Sequence, residues 1–279
     1  MKIIRDPQET QQLGLLWNSQ GLKVGLVPTM GYLHDGHLSL IDEAKKRCDR
    51  VFVSIFVNPT QFGPTEDLDR YPRDFARDEA LCEEHGVDAV FYPTPESMYA
   101  PDFSTWVNED SLSQTLCGAS RPVHFRGVTT VVTKLFNITQ CRLAVFGKKD
   151  AQQALIICRM VRDLNLPVEI VMAPLVREAD GLALSSRNKF LSADEHQRAL
   201  ALSRAVREVE RLYGAGERSA EKLLAAARAI LEPSGGRIDY VEMMARDNLR
   251  PLATLDRPAL FALAVFFGQT RLIDNCFLG

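Results

Sequence analysis

The chain has 279 residues, enough for one large α/β domain or two unequal ones. Its 46% hydrophobic and 25% charged residues allow a packed core, and 33 basic against 36 acidic side chains leave a net charge of −3, which excludes the basic excess of a nucleic-acid binder. No apolar run approaches the roughly 20 residues that span a bilayer, the opening MKIIRDPQET lacks an apolar export segment, and the six cysteines are scattered without a C-x-x-C, so the reading is a cytoplasmic enzyme with reduced thiols, no membrane partner and no disulfide frame.

Up to about residue 175, short β-rich runs alternate with helical stretches. Strands are predicted at 24–28 (VGLVP), 51–57 (VFVSIFV), 89–92, 143–146 and 168–172, and helices at 38–48, 74–85, 128–138 and 151–164. Runs of β-branched and aromatic residues without alternation are the mark of strands buried on both faces. Strands alternating with helices of this length form βαβ units, which predicts a Rossmann-like doubly wound parallel α/β sheet over 1–176. From 177 to 279 the pattern changes. Helices are expected at 193–213 and 219–231, followed by β-like runs at 238–244, 259–267 and 270–274, a smaller α+β C-terminal domain.

The segment PTMGYLHDGH, residues 28–37, follows the first strand and opens a helix. In open α/β sheets ligands sit at the carboxyl ends of the strands, where a helix N-terminus offers unpaired N–H groups to an anion. Gly31 and Gly36 let the backbone approach a bulky ligand. His34 and His37, three apart, share one helix face and form a cradle for a phosphate that gains charge in a transition state; half of a zinc site is the other use of such a pair. Asn58 to Gln61 follow the second strand, either as a turn or with Gln61 offering donor and acceptor to a substrate. Gly147, Lys148, Lys149 and Asp150 again leave a strand and open a helix, with Asp150 a cap or a ribose ligand. Leu184, Ser185, Ser186 and Arg187 make a polar loop suited to a polyphosphate, since arginine binds phosphate bidentately, and Ser192 is placed to cap the next helix.

His-x-Gly-His after the first strand resembles the nucleotidyltransferase superfamily that attacks the α-phosphate of ATP, and the longer string is similar to the pantoate–β-alanine ligase (pantothenate synthetase) family. VSIFVNPTQF at 53–62, RYPRD at 70–74, ASRPVHFRGV at 119–128, FGKKDAQQ at 146–153, READGLALSSRN at 177–188 and RLIDN at 271–275 continue the likeness in order. The resemblance implies ligation of pantoate to β-alanine with ATP and Mg²⁺, by way of a pantoyl adenylate, in a homodimer. It places Met30, Gly31, Tyr32, Leu33, His34, Asp35, Gly36 and His37, with Gly147, Lys148, Lys149, Asp150, Val176, Leu184, Ser185, Ser186 and Arg187, at the nucleotide. Gln61, Gln153, Asn58 and Arg121 fall to pantoate and β-alanine, His124 to the wall of the site, and Asp78 to a metal contact. His37, His34, Lys149 and Arg187 are the expected catalytic groups, under a lid made by the second domain. The chain departs from the family at Lys148, Ala151 and Val123, where glutamate, an aromatic and glycine are usual; Lys148 adds a positive charge beside the triphosphate. A nucleotidyltransferase of other specificity, a relative of the aminoacyl-tRNA synthetases and a non-catalytic nucleotide-binding adaptor are the competing readings.

Overall fold

The computed structural model describes residues 1–64 and 66–279. In chain order the first part runs β1 (Lys2–Ile4), α1 (Pro7–Ser19), β2 (Val24–Thr29), α2 (Asp35–Lys45), β3 (Arg50–Ile55), α3 (Phe75–Glu84), β4 (Ala89–Phe91), α4 (Pro95–Met98), α5 (Cys117–Ser120), α6 (His124–Thr139), β5 (Leu143–Gly147), α7 (Ala151–Asp163) and β6 (Glu169–Ala173). The second part runs α8 (Ala193–Ala199), α9 (Ala201–Gly214), α10 (Ala220–Leu231), β7 (Arg237–Ala245), β8 (Ala259–Phe267) and β9 (Thr270–Leu278).

Six parallel strands form one sheet in the order β1-β4-β3-β2-β5-β6. Alternate residues of each central strand sort onto its two faces. Leu26, Phe52 and Phe146 pack with Leu13 and Trp17 of α1, Val131 and Leu135 of α6 and Ile157 of α7. Val27, Val51, Val53, Leu143 and Val145 pack with Leu40 and Ile41 of α2 and Cys82 of α3. This is the doubly wound α/β sheet expected, with all five predicted parallel strands present. β1 and α1 add to it. Their signal was weak because β1 has three residues and α1 leaves Leu15 and Leu16 about half exposed, which blurs the apolar stripe.

β7, β8 and β9 form a separate antiparallel sheet. One face carries α9 and α10, through Val206, Val209, Leu223 and Leu231 against Phe261, Leu263 and Val265. The opposite face joins the first core through Met244, Leu260 and Ala262. The single helix expected over 193–213 is two, because the chain breaks at Leu200 between α8 and α9. Ser192 caps α8 as expected, its hydroxyl accepting from the Glu195 N–H while Glu195 accepts from the Ser192 N–H. Among the described residues no helix is long and apolar enough to cross a membrane.

β2 reverses the strand order. It pairs with β3 over its whole length, Val24↔Arg50 to Thr29↔Ile55, but with β5 only at Gly25↔Leu143 and Leu26↔Ala144. Past that point the carboxyl ends of β2 and β5 part, and Pro28 has no N–H with which to extend the ladder. The gap is closed on one side by α6, which approaches the turn after β3 so tightly that a Cβ at Gly127 would stand 2.5 Å from the Thr60 carbonyl oxygen and 2.7 Å from the Gln61 Cα. Alanine in a helix interior normally gains about 1 kcal/mol over glycine. At this contact overpacking opposes it, so Gly127→Ala is expected to lower stability by a net ~1–3 kcal/mol in urea denaturation; a stabilised variant would show that the contact is slack.

Candidate active site

Pro28, Thr29 and Met30 at the end of β2 and Phe146, Gly147, Lys149 and Asp150 at the end of β5 line a cavity of about 230 Å³, which shares Arg121, His124, Lys149, Gln153 and Arg187 with a larger cleft of about 770 Å³ reaching the second sheet. Both loops leave the sheet at its topological switch point, where such folds bind ligands.

The loop between β2 and α2 is bent by two successive left-handed residues, Gly31 at φ +82° and Tyr32 at φ +52°. A side chain at Gly31 would be strained by that φ and would also bring Cβ to 2.9 Å from the Asp78 Oδ2. The Asp78 carboxylate, only 1% exposed, accepts from the Tyr32 and Leu33 N–H groups, each at 2.7 Å. Both its oxygens are therefore engaged, and Asp78 holds the loop instead of contacting a metal. Arg77 donates to the Leu33 carbonyl at 2.8 Å and completes the brace.

That bend delivers His34 to the N-terminus of α2 and His37 one turn on, their rings tilted by 36° with centroids 4.0 Å apart. His37 Nδ1 accepts from the His34 N–H at 3.3 Å, so the proton of the neutral ring sits on Nε2. The His34 Nδ1 is buried without a partner. An orphaned imidazole nitrogen beside a helix N-terminus is what a phosphate site needs. Burial in the cleft wall and the nearby Lys149 ammonium push His34 down to about 4, and burial with His34 and Lys149 pushes His37 down to about 3. Both rings are neutral N–H donors at neutral pH. No cysteine or carboxylate joins them in a metal-binding cluster; the one such group among the described residues is Glu178, Asp180 and His196, outside the cleft lining.

Not every residue expected at the nucleotide lines the inner cavity. Met30, His34, Gly36, His37, Gly147, Lys149, Asp150, Val176, Leu184, Ser185, Ser186 and Arg187 line the inner cavity. Leu33 instead lies wholly in the core, and Tyr32 lies beneath the Lys189 ammonium, 4.0 Å from its ring centroid. Gly31 shapes the loop, and Asp35 is exposed outside the cavity. Lys148, expected beside the triphosphate, lines neither cavity; its ammonium stands over the Phe277 ring at 5.5 Å. Asp150 makes no cap bond to α7; its carboxylate pairs with Lys149 at 3.3 Å. Ser186 is buried against the Tyr71 hydroxyl at 3.4 Å.

Asn58, 1% exposed, spends its carboxamide within the protein. It donates to Gln61 Oε1 at 3.0 Å and to the Gly127 carbonyl at 3.2 Å, and accepts from the Tyr99 hydroxyl at 2.8 Å. Asn58, expected at the substrate, lines the inner cavity and orients Gln61, whose Nε2 lies beside the Met30 sulfur at 3.3 Å. His124 donates its Nδ1–H to the Gln61 carbonyl at 2.9 Å, and burial lowers its pKa to about 4. Val123 sits at φ −92°, open to any residue, so the absent glycine costs the backbone nothing. Gln152, which sequence reasoning passed over, pins the chain before Arg121 by donating to the Leu112 and Thr115 carbonyls and accepting from the Cys117 N–H.

The two arginines shared by both cavities are already paired. Arg187 grips Asp67 bidentately at 2.9 Å and 2.9 Å, and Arg121 grips Glu66. Against the cost of partial burial, the guanidiniums hold both carboxylates below the usual carboxylate range.

A family model described as pantoate-beta-alanine ligase matches residues 2–277. The pantothenate synthetase of Thermotoga petrophila is 52% identical over 280 residues, 100% of each chain. That of Moorella thermoacetica is 56% identical over 260 residues, 93% of this chain and 92% of its own. The crystal structure of the pantothenate synthetase from Thermus thermophilus has a TM-score of 0.92 at 44% identity across 99% of both chains. The pantoate-beta-alanine ligase from Francisella tularensis, solved with beta-gamma ATP and beta-alanine, has a TM-score of 0.80 at 32% identity over 99% of this chain and 97% of its own.

The histidines give the fold a pH dependence. They titrate near 6.5 when unfolded but at about 4, 3 and 4 for His34, His37 and His124 in the native state, so the unfolded chain binds more protons below pH 6.5. The stability these three rings contribute is present above pH 6.5 and is lost as pH drops toward 4. Urea denaturation should give a lower unfolding free energy at pH 5 than at pH 7.5, and His124→Gln should shrink the difference; a flat profile contradicts the burial of these rings.

Proposed function

The chain belongs to the pantoate-beta-alanine ligase family, and from that premise we propose how it joins pantoate to β-alanine with ATP: through a pantoyl adenylate formed in the cleft between β2 and β5. The observation that carries this reading is the pair of neutral imidazoles at the N-terminus of α2, one with an unsatisfied buried nitrogen, facing Lys149 and Asp150 on the loop after β5.

In the first step a pantoate carboxylate oxygen attacks the α-phosphorus, and the bond from that phosphorus to the pyrophosphate oxygen breaks. Little covalent work falls to the protein; positioning and charge neutralisation carry the barrier. The His37 Nε2–H and the His34 ring donate to α-phosphate oxygens, and Lys149 and Arg187 take the charge of the leaving pyrophosphate. Arg187 must first release Asp67. Asp150 accepts from the ribose, and Val176 and Leu184 flank the adenine. Gln61, held by Asn58 with its amide nitrogen forward, and Gln153 orient the pantoate, with Arg121 at the outer wall.

In the second step the β-alanine amine attacks the acyl carbon, the acyl C–O bond breaks, and AMP leaves with that oxygen. A mixed anhydride hydrolyses readily, so closure must exclude water; the Ser185 loop and the second domain, which walls the outer cleft, form the lid. The cleft carboxylates Glu66, Asp67 and Asp150 are each bound to a cation, so no all-protein cage for a metal exists among them. The residues fit Mg²⁺ that would arrive on the nucleotide and would supply neutralisation of phosphate charge. A homodimer and a cytoplasmic location belong to the same reading.

Removing one preorganised donor of this kind costs about 3 kcal/mol. His37→Ala or Lys149→Ala should therefore lower pyrophosphate release from ATP and pantoate by roughly 100-fold or more, and near-normal turnover in either would remove its role. Pantoate labelled with ¹⁸O in its carboxylate tests the intermediate: one label should appear in AMP, read by mass spectrometry. Label in inorganic phosphate instead would mean transfer of the terminal phosphoryl group.

A further inference from the structure

RLIDN, residues 271–275, has no place in the chemistry above, although it lies on the strand that faces the catalytic loop. β9 is an edge strand of the second sheet. From it the buried Asn275 extends its carboxamide across the domain boundary and donates twice, to the Lys148 carbonyl at 3.0 Å and to the Lys149 carbonyl at 2.8 Å. These carbonyls belong to the 3-10 turn Lys148–Asp150 between β5 and α7. Gripping both fixes the peptide between them and so the direction in which the Lys149 side chain leaves.

Asn275 is itself held. Its N–H donates to the Asp274 Oδ1 at 2.8 Å, and the Asp274 carboxylate, 1% exposed, is clamped by both Nη atoms of Arg177 at 2.7 and 3.0 Å. Arg177 also donates to the Gly181 carbonyl at 3.1 Å, at the base of the loop that carries Ser185 and Arg187. One connected set thus runs from the phosphate loop through Arg177, Asp274 and Asn275 to the backbone of Lys149. Misplacing a catalytic group by an ångström costs on the order of 100-fold.

We infer that Asn275 is a positioning residue for adenylation: from the second domain, its two main-chain hydrogen bonds set the direction of the Lys149 ammonium. The inference rests on the reading of Lys149 as a phosphate-binding group. A residue that only filled space would tolerate an isosteric aspartate. Asp in place of Asn275 would turn an oxygen on each carbonyl and should be worse than alanine.

The test uses the full-length protein with Asn275→Asp, Asn275→Ala, Lys149→Ala and the two double variants. It reads pyrophosphate release with ATP and pantoate, KM for each substrate, and the thermal midpoint. Asn275→Asp should lower kcat for adenylation on the order of 10- to 100-fold, more than Asn275→Ala, with KM for β-alanine unchanged. In the Lys149→Ala background both Asn275 variants should lose less than about twofold further, because there is no ammonium left to aim. Wild-type adenylation in Asn275→Asp, or an undiminished effect without Lys149, overturns the inference. Normal turnover in Lys149→Ala alone overturns the underlying reading as well. Should Asn275→Asp fail to fold, Asn275→Ser, neutral and smaller, takes its place in the same cycle.

Discussion

The arrangement depends on how early β2 and β5 stop pairing. Two registered residue pairs join them, at Gly25 and Leu26, where β2 and β3 share six. A parallel sheet buries both faces under helices, so its strand ends are the one place where backbone can be brought to a ligand without opening the core. Here the separation puts the His34 loop and the Lys149 loop on opposite lips of one crevice. Asp78, Gln152 and Asn58 then hold the lips in shape, each a buried polar side chain that satisfies backbone or amide groups which the irregular chain leaves over.

Much of this was legible in the residues. The apolar runs at 51–57 and 143–146 are uniform because both faces are covered, and they locate the strands. Loops rich in Gly, His, Lys and Asp directly after the runs at 24–28 and 143–146 locate the crevice. What was not legible depends on partners distant in sequence. Nothing in Gly-Lys-Lys-Asp says which lysine turns inward; the choice follows from Phe277 standing beside Lys148, more than a hundred residues later. Leu33 sits inside a ligand-like string yet belongs to the core. Asp78 could equally have been a metal ligand until Tyr32 and Leu33 present their N–H groups to it. The break at Leu200 left no glycine or proline to read.

Electrostatically the site combines neutral donors with fixed charge. The imidazoles are kept uncharged by burial and by Lys149 next to them, so they offer N–H bonds without a competing counter-ion. The permanent cations of the same cavity are Lys149, Arg121 and Arg187. On the reading proposed above, an incoming polyphosphate would meet neutral N–H donors and the Lys149 charge side by side.

The ion pairs Arg187–Asp67 and Arg121–Glu66 bear on what can occupy the cleft at all. Both guanidinium forks are engaged by the chain's own carboxylates, so the crevice is not a bare anion trap. A visiting anion gains only the difference between its own bond to arginine and the one it dislodges, less the cost of setting a carboxylate free in water. Single, weakly charged ions such as chloride or acetate have almost nothing to gain by that exchange. On the reading proposed above, a triphosphate that met Lys149 and the helix terminus at the same time would keep a surplus, and the resting pairs would then set a threshold that simple anions do not cross.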